Sequence, residues 1–157
     1  MVTTYLSLGS NLGNREQLLR QAIAAIGEQV GSVVAQSSFI ETLPWGFSSE
    51  NRFLNAAIAV ETALSPTALL NATQAIERQL GRTEKTVGGQ YHDREVDIDI
   101  LLYGQRRVHT RRLCIPHPHL AERRFVLAPL AEIAPSLKVP GTGMSVAEML
   151  SALDANS

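Results

Sequence analysis

Within the segment REVDIDILLYG, Arg94 to Gly104, two aspartates, Asp97 and Asp99, stand two apart in an apolar run. In a strand, alternation sends Val96, Ile98, Ile100 and Leu102 to one face and Glu95, Asp97 and Asp99 to the other. Carboxylates so placed lie roughly 6.5 to 7 Å apart, and at an effective dielectric near 20 they repel by about 2 kcal/mol. Bulk water removes almost all of that repulsion. Two readings therefore stand: a solvated sheet face, or a pair that grips a cation. For the second, Mg²⁺ suits best, because it takes few carboxylates, keeps its waters and bridges phosphate oxygens.

Nine of the fourteen basic residues (Arg82, Lys85, Arg94, Arg106, Arg107, Arg111, Arg112, Arg123, Arg124) fall in the same region as the pair, and eight of them are arginine. Guanidinium forks donate bidentately to phosphate, although any single arginine is equally at home on a solvated surface. RLCIPHPHLAERRF sets His117 and His119 two apart in a proline-fixed segment. No further Cys/His set accompanies them at zinc spacing, so polar contact with phosphate or nucleotide is the better reading. Cys114 has no base partner evident in sequence, which disfavours a nucleophilic role. Asn55, on an apolar strand, offers an amide that can read a heterocycle edge or be satisfied by backbone. Trp45, in a Pro/Gly loop, either plugs the core edge or lines a pocket. The loop GSNLGN, Gly9 to Asn14, leads from a strand into a helix start, where N–H groups can hold an anion, but it matches neither a Walker A loop nor G-x-G-x-x-G.

The elements that must carry these residues alternate clearly. A first strand is expected over about Thr3 to Leu8. A helix follows from an Asn14 cap to Gly27, with Leu18, Leu19, Ala22, Ile23 and Ile26 on one stripe. A second strand begins at Ser32 (SVVAQSSFIET), Pro44 and Gly46 break the chain, and a third, central strand begins at Phe53. Ser65-Pro66 opens a second helix that ends at Gly81. Arg82 to Asp93 reads as a functional loop before the aspartate strand. The order β-α-β-β-α-β predicts an α+β fold with a ferredoxin-like core, its helices on one face of an antiparallel sheet. C-terminal additions follow: a proline-rich turn, a helix near Leu120 to Ile133, and a last helix whose capping box is Ser145 with Glu148.

The 157 residues are expected to form a single domain, 1–157. Apolar residues make up 45%, charged residues 18%, and the net charge is −1, which argues against disorder and a strongly basic nucleic-acid binder. One cysteine and no basic, apolar leader point to a cytoplasmic setting. No apolar run is long enough to span a membrane. A monomer without nucleic-acid or membrane partners is expected.

Taken together, the blocks YLSLGSNLGN, SSFIETLPWG, FLNAAIAVET, IERQLGR, DREVDIDILLYG and RLCIPHPHLAERRFVLAPLAEIAP resemble 6-hydroxymethyl-7,8-dihydropterin pyrophosphokinases over nearly the whole chain. The resemblance implies a folate-pathway enzyme that moves the β,γ-diphosphate of ATP onto the hydroxymethyl group of a dihydropterin. It implies two Mg²⁺ ions on Asp97 and Asp99. It implies a pterin pocket from Thr42, Leu43, Pro44, Trp45, Gly46, Phe53, Asn55 and Asp97, with Phe125 across the ring. It implies ATP contacts from Glu77, Arg82, Lys85, Arg94, Ile100, Arg112, Cys114, His117 and Arg123, with Arg94 and Arg123 stabilising the migrating group beside the aspartates.

The chain departs from the family pattern in places. Leu43 replaces a frequent proline, and GQYHDREVDID stands where many members read R-W-G-P-R-T-x-D-x-D, so that Tyr91 takes the tryptophan position and His92-Asp93 replaces Gly-Pro. These changes bear on loop closure and leave the metal pair and pterin pocket intact. Two other classes fit parts of the pattern. A different D-x-D transferase would turn over without a dihydropterin, and a ferredoxin-like binding module for RNA or a small regulator would form no AMP. The strands carry few exposed aromatics for RNA stacking.

Overall fold

The computed structural model describes residues 1–11, 14–42, 53–81 and 96–156. Five strands form the main sheet: β1 (Val2–Ser10), β2 (Gly31–Gln36), β3 (Ile40–Thr42), β4 (Phe53–Thr62) and β5 (Asp97–Tyr103). All pairings are antiparallel, in the order β2-β4-β1-β5, with β3 alongside β4. Helices α1 (Arg15–Gln29) and α2 (Pro66–Gly81) are the two crossovers of the expected ferredoxin-like core. A hairpin, β6 (Val108–His109) with β7 (Cys114–Ile115), leads through a 3₁₀ turn (Leu120–Glu122) to α3 (Arg124–Ile133) and α4 (Val146–Ala155).

Local chemistry explains the element ends. The Asn14 side chain accepts the Gln17 N–H at the head of α1, and Ser65 Oγ accepts the Ala68 N–H at the head of α2. Ser145 and Glu148 form a reciprocal capping box on α4. Helix α1 continues past Gly27, because its apolar stripe extends to a buried Val30 whose N–H closes on the Ile26 carbonyl. The single strand expected from Ser32 is two. The chain turns at Ser37, whose N–H bonds the Ala57 carbonyl while its hydroxyl accepts the Ala57 N–H, a side-chain substitute for ladder bonds. The helix expected over Leu120 to Ile133 is interrupted where Arg123 takes an extended backbone.

Helices cover both sheet faces, not one. Leu6, Leu8, Ile58, Val60, Ile98 and Ile100 pack with Leu19, Ile26, Leu69 and Ile76 of α1 and α2. On the other face Ala57, Leu101 and Leu102 meet Val126, Leu127 and Leu130 of α3 and Met149 of α4. The C-terminal additions are thus the second half of the core. They also change the expected alternation of β5. Tyr5 pairs with Leu102 while Leu6 pairs with Ile100, so Leu101 is an extra residue, and Leu102 joins it on the α3 face instead of following Ile100.

Candidate active site

Register brings the candidate residues into rows. In one row Asn55 (β4), Gly9 (β1) and Asp97 (β5) are cross-strand partners; in the next are Ala57, Ser7 and Asp99. Two strand spacings separate the ends of each row, about 9.5 Å. These rows share the α3 face of the sheet, where Ala57 packs against α3. Their middle residues are serine and glycine, which leave a shallow floor between an amide on one side and two carboxylates on the other. Among the described strands β5 is an edge of the sheet. Its Ile98 N–H, between the aspartates, is taken by the Glu77 carboxylate of α2 at 2.7 Å.

At the carboxylate end, His117 Nε2 lies 4.0 Å from Asp99 Oδ1. Its Nδ1 accepts the His119 backbone N–H at 3.1 Å, so the ring proton sits on Nε2, facing the carboxylate. Burial, with the charges of Arg123 and His119 nearby, lowers the His117 pKa to about 4, so the ring is a neutral donor at physiological pH. The His117 N–H bonds the Leu101 carbonyl at the β5 bulge, fixing the histidine segment to the aspartate strand. Arg123 lies 5.7 Å from the Phe125 ring centroid and immediately precedes α3, a helix whose first turn has no acidic residue. A guanidinium and a helix N-terminus together favour an anion at that point.

At the amide end, Asn55 is 3% exposed and its Nδ2 donates to Thr42 Oγ1 at 2.6 Å. Its Oδ1 is turned toward Gly9. Thr42 pairs with Phe53, which lies on the same face two residues before Asn55. Asn11, just past the end of β1, is 1% exposed, and among the described residues neither of its amide atoms has a hydrogen-bond partner.

Three residues expected to contact ATP, Ile100, Arg112 and Cys114, lie off the Asn55–Gly9–Asp97 row. Ile100 is buried against α1 and α2, on the sheet face opposite the aspartates. Arg112 is docked on α2, donating to Asn71 Oδ1 at 2.8 Å and Gln74 Oε1 at 3.3 Å. Cys114 does have an imidazole beside it: the hairpin pairs it with His109, whose Nδ1 is 3.6 Å from Sγ. Leu43, Pro44, Trp45, Gly46, Arg82, Lys85 and Arg94 lie outside the described residues, as does the whole Arg82 to Asp93 loop. Sequence reasoning missed Ser7 and Gly9 as floor residues, and missed the support of β5 by Glu77. The signal for the floor was Ser7 and Gly9 alternating with Leu6 and Leu8 in the second half of β1.

The donor set suits Mg²⁺. Two hard carboxylates project from one strand, and among the described residues no three His, Cys, Asp or Glu side chains converge on a point. A hydrated ion completed by phosphate oxygens needs no more protein ligands than that.

Residues 5–135 match the family model described as 7,8-dihydro-6-hydroxymethylpterin-pyrophosphokinase. The chain belongs to this family. A 2-amino-4-hydroxy-6-hydroxymethyldihydropteridine pyrophosphokinase of Porphyromonas gingivalis is 50% identical over 138 residues, covering 87% of this chain and 94% of the relative. The enzyme of the same description from Bacillus subtilis is 44% identical over 139 residues, 88% of this chain and 81% of its own length. One from Methylorubrum extorquens is 43% identical over 155 residues, 98% and 95% of the two chains. Among solved structures, a Plasmodium falciparum HPPK-DHPS superposes with a TM-score of 0.80 at 14% identity, over 99% of this chain and 43% of that one, a likeness of fold. As a pyrophosphokinase of this family the chain is an ATP-dependent diphosphotransferase of folate biosynthesis. Among the described residues of this pyrophosphokinase, no helix is long and apolar enough to cross a membrane.

Proposed function

We propose that the chain transfers the β,γ-diphosphate of ATP to 6-hydroxymethyl-7,8-dihydropterin, with two Mg²⁺ ions held by Asp97 and Asp99. The observation that carries this reading is the row Asn55–Gly9–Asp97. It sets an amide fit to read a heterocycle about 9.5 Å from a carboxylate pair fit to hold a metal–phosphate. A flat bicyclic ring with a hydroxymethyl arm spans a gap of that size.

In the reaction the hydroxymethyl oxygen attacks the β-phosphorus, the bond from that phosphorus to the α,β-bridging oxygen breaks, and AMP departs with the electron pair. The hydroxyl proton goes to solvent. Bound magnesium supplies charge neutralisation of the phosphate oxygens. The protein's share is alignment. Asp97, at the pterin end of the pair, orients the hydroxyl. His117 donates from Nε2 as a neutral group, and Arg123 at the head of α3 offsets charge on the migrating diphosphate. Donors aimed at developing charge each contribute about 10² to 10³ in rate, and Arg94 is assigned the same task by family resemblance. On the other side Thr42 orients Asn55, Phe53 and Phe125 bound the ring, and Leu43, Pro44, Trp45 and Gly46 complete the pocket. The remaining ATP contacts are assigned to Glu77, Arg82, Lys85, Ile100, Arg112 and Cys114.

The test is to mix protein, ATP, Mg²⁺ and the hydroxymethyl dihydropterin and identify the nucleotide product. AMP formed only in the presence of the pterin supports the proposal. ADP, or AMP at the same rate without pterin, overturns it.

A further inference from the structure

We infer that Gly9 is a specificity-determining residue: its missing side chain sets the Asn55 amide in the orientation that selects the pterin, without a part in ATP binding. The inference rests on the pterin reading of the site. A Cβ built on Gly9 would lie 2.9 Å from Asn55 Oδ1 and 3.5 Å from Phe53 Cδ1, with the Leu54 carbonyl oxygen next at 3.9 Å. Real Cβ atoms essentially never approach an oxygen as closely as 2.9 Å, so the amide would have to move. It has little freedom to do so, because Asn55 is 3% exposed and its Nδ2 is held by Thr42 Oγ1 at 2.6 Å. Rotating Oδ1 away from β1 breaks that hydrogen bond and turns the acceptor out of the row.

The crowding has a direction. All three of the nearest atoms belong to β4, and none belongs to Asp97, the partner of Gly9 on the other side. One methyl group at position 9 therefore disturbs the amide end and leaves the carboxylate end as it is. Oδ1 accepts hydrogen bonds, so the edge it selects is a donor edge, such as the amino and ring N–H groups of a 2-amino-4-oxo heterocycle. An analogue that lacks those donors leaves a buried acceptor unpaired and is rejected.

The test is a double-mutant cycle over Gly9→Ala and Asn55→Ala, reading the affinity for the hydroxymethyl dihydropterin in the presence of Mg²⁺ and a non-hydrolysable ATP analogue, and separately the affinity for that analogue alone. Gly9→Ala is expected to weaken pterin binding about 10- to 100-fold and to change analogue binding less than about twofold. In the Asn55→Ala background, which has no Oδ1, the same substitution should have almost no further effect. Additive losses, equal losses of both ligands, or no loss of pterin affinity each overturn the inference. Should Gly9→Ala fail to fold, the double variant should recover folding, and a double variant that also fails to fold overturns it. Failure of the underlying reading is seen separately, as an unmodified protein that does not bind the pterin.

Discussion

Thr4 supports the candidate site from a distance. Its side chain is fully buried, and its hydroxyl donates to the Leu102 carbonyl at 2.7 Å, closing the β5 bulge from below, while the His117 N–H closes it from the other side at the Leu101 carbonyl. Thr4→Val keeps the shape and deletes the donor. Leaving a buried carbonyl short of its partner costs about 1 to 3 kcal/mol, and the added methyl returns at most about 0.8 kcal/mol. The net expectation is a loss of about 0.2 to 3 kcal/mol, or a Tm lower by up to about 12 °C for a chain of this size. Thr4→Ser makes the opposite change, keeping the bond and losing a buried methyl at a cost of about 1 kcal/mol. Stability alone therefore separates the variants poorly. Activity should separate them, because the bulge holds His117 against Asp99 and displacements near 1 Å cost up to about 10² in rate. Urea denaturation and steady-state AMP release at 25 °C are the assays. Thr4→Ser should keep the kcat/KM of the unmodified protein, and Thr4→Val should lose about tenfold or more. A Thr4→Val protein within about 0.5 kcal/mol of the parent and equally active would refute the reasoning.

Asp97→Ala and Asp99→Ala should each reduce AMP release by about 10³ or more with the circular dichroism of the folded protein intact; near-normal turnover in either removes the metal assignment. Asn55→Ala should raise the pterin KM by about 10- to 100-fold with the ATP KM little changed, and Thr42→Val should show a weaker form of the same split, since Thr42 acts by orienting the amide. At the C-terminus, Ser145→Ala should cost about 1 kcal/mol in urea titrations by removing the cap of α4. Its partner Glu148 has a carboxyl held below its ordinary value of 4.5, first by the Ser145 backbone N–H, then by the Ser145 hydroxyl and Lys138. A depressed carboxyl stabilises the fold above its unfolded pKa and loses that contribution as pH falls through the folded one. Tm measured from about pH 6 down to pH 3 should therefore fall less steeply for Glu148→Gln than for the parent; equal slopes would contradict it.

The amino-acid sequence alone determined β1, β4, β5, α1, α2 and α4, and hence the ferredoxin-like core, because apolar periodicity and caps such as Asn14, Ser65 and Ser145 act within a few residues of themselves; the break at Ser37, the β6–β7 hairpin and the interruption at Arg123 were not legible there. It also determined the family, through ordered blocks that resemble known members from Tyr5 to Pro135, and with it the expectation of a pyrophosphokinase. Only tertiary structure decided how the site is assembled. The bulge at Leu101 reverses the expected side of Leu102, since a register shift belongs to a pair of strands and cannot be read from one. Helices α3 and α4 close the second face of the sheet because Leu101 and Leu102 must be covered, which is a demand of the folded sheet. The row Asn55–Gly9–Asp97 joins residues 46 and 42 apart across strands that hydrogen bonds bring side by side. Nothing local marks Gly9 as its floor; that follows from the Asn55 amide lying where a Cβ would be.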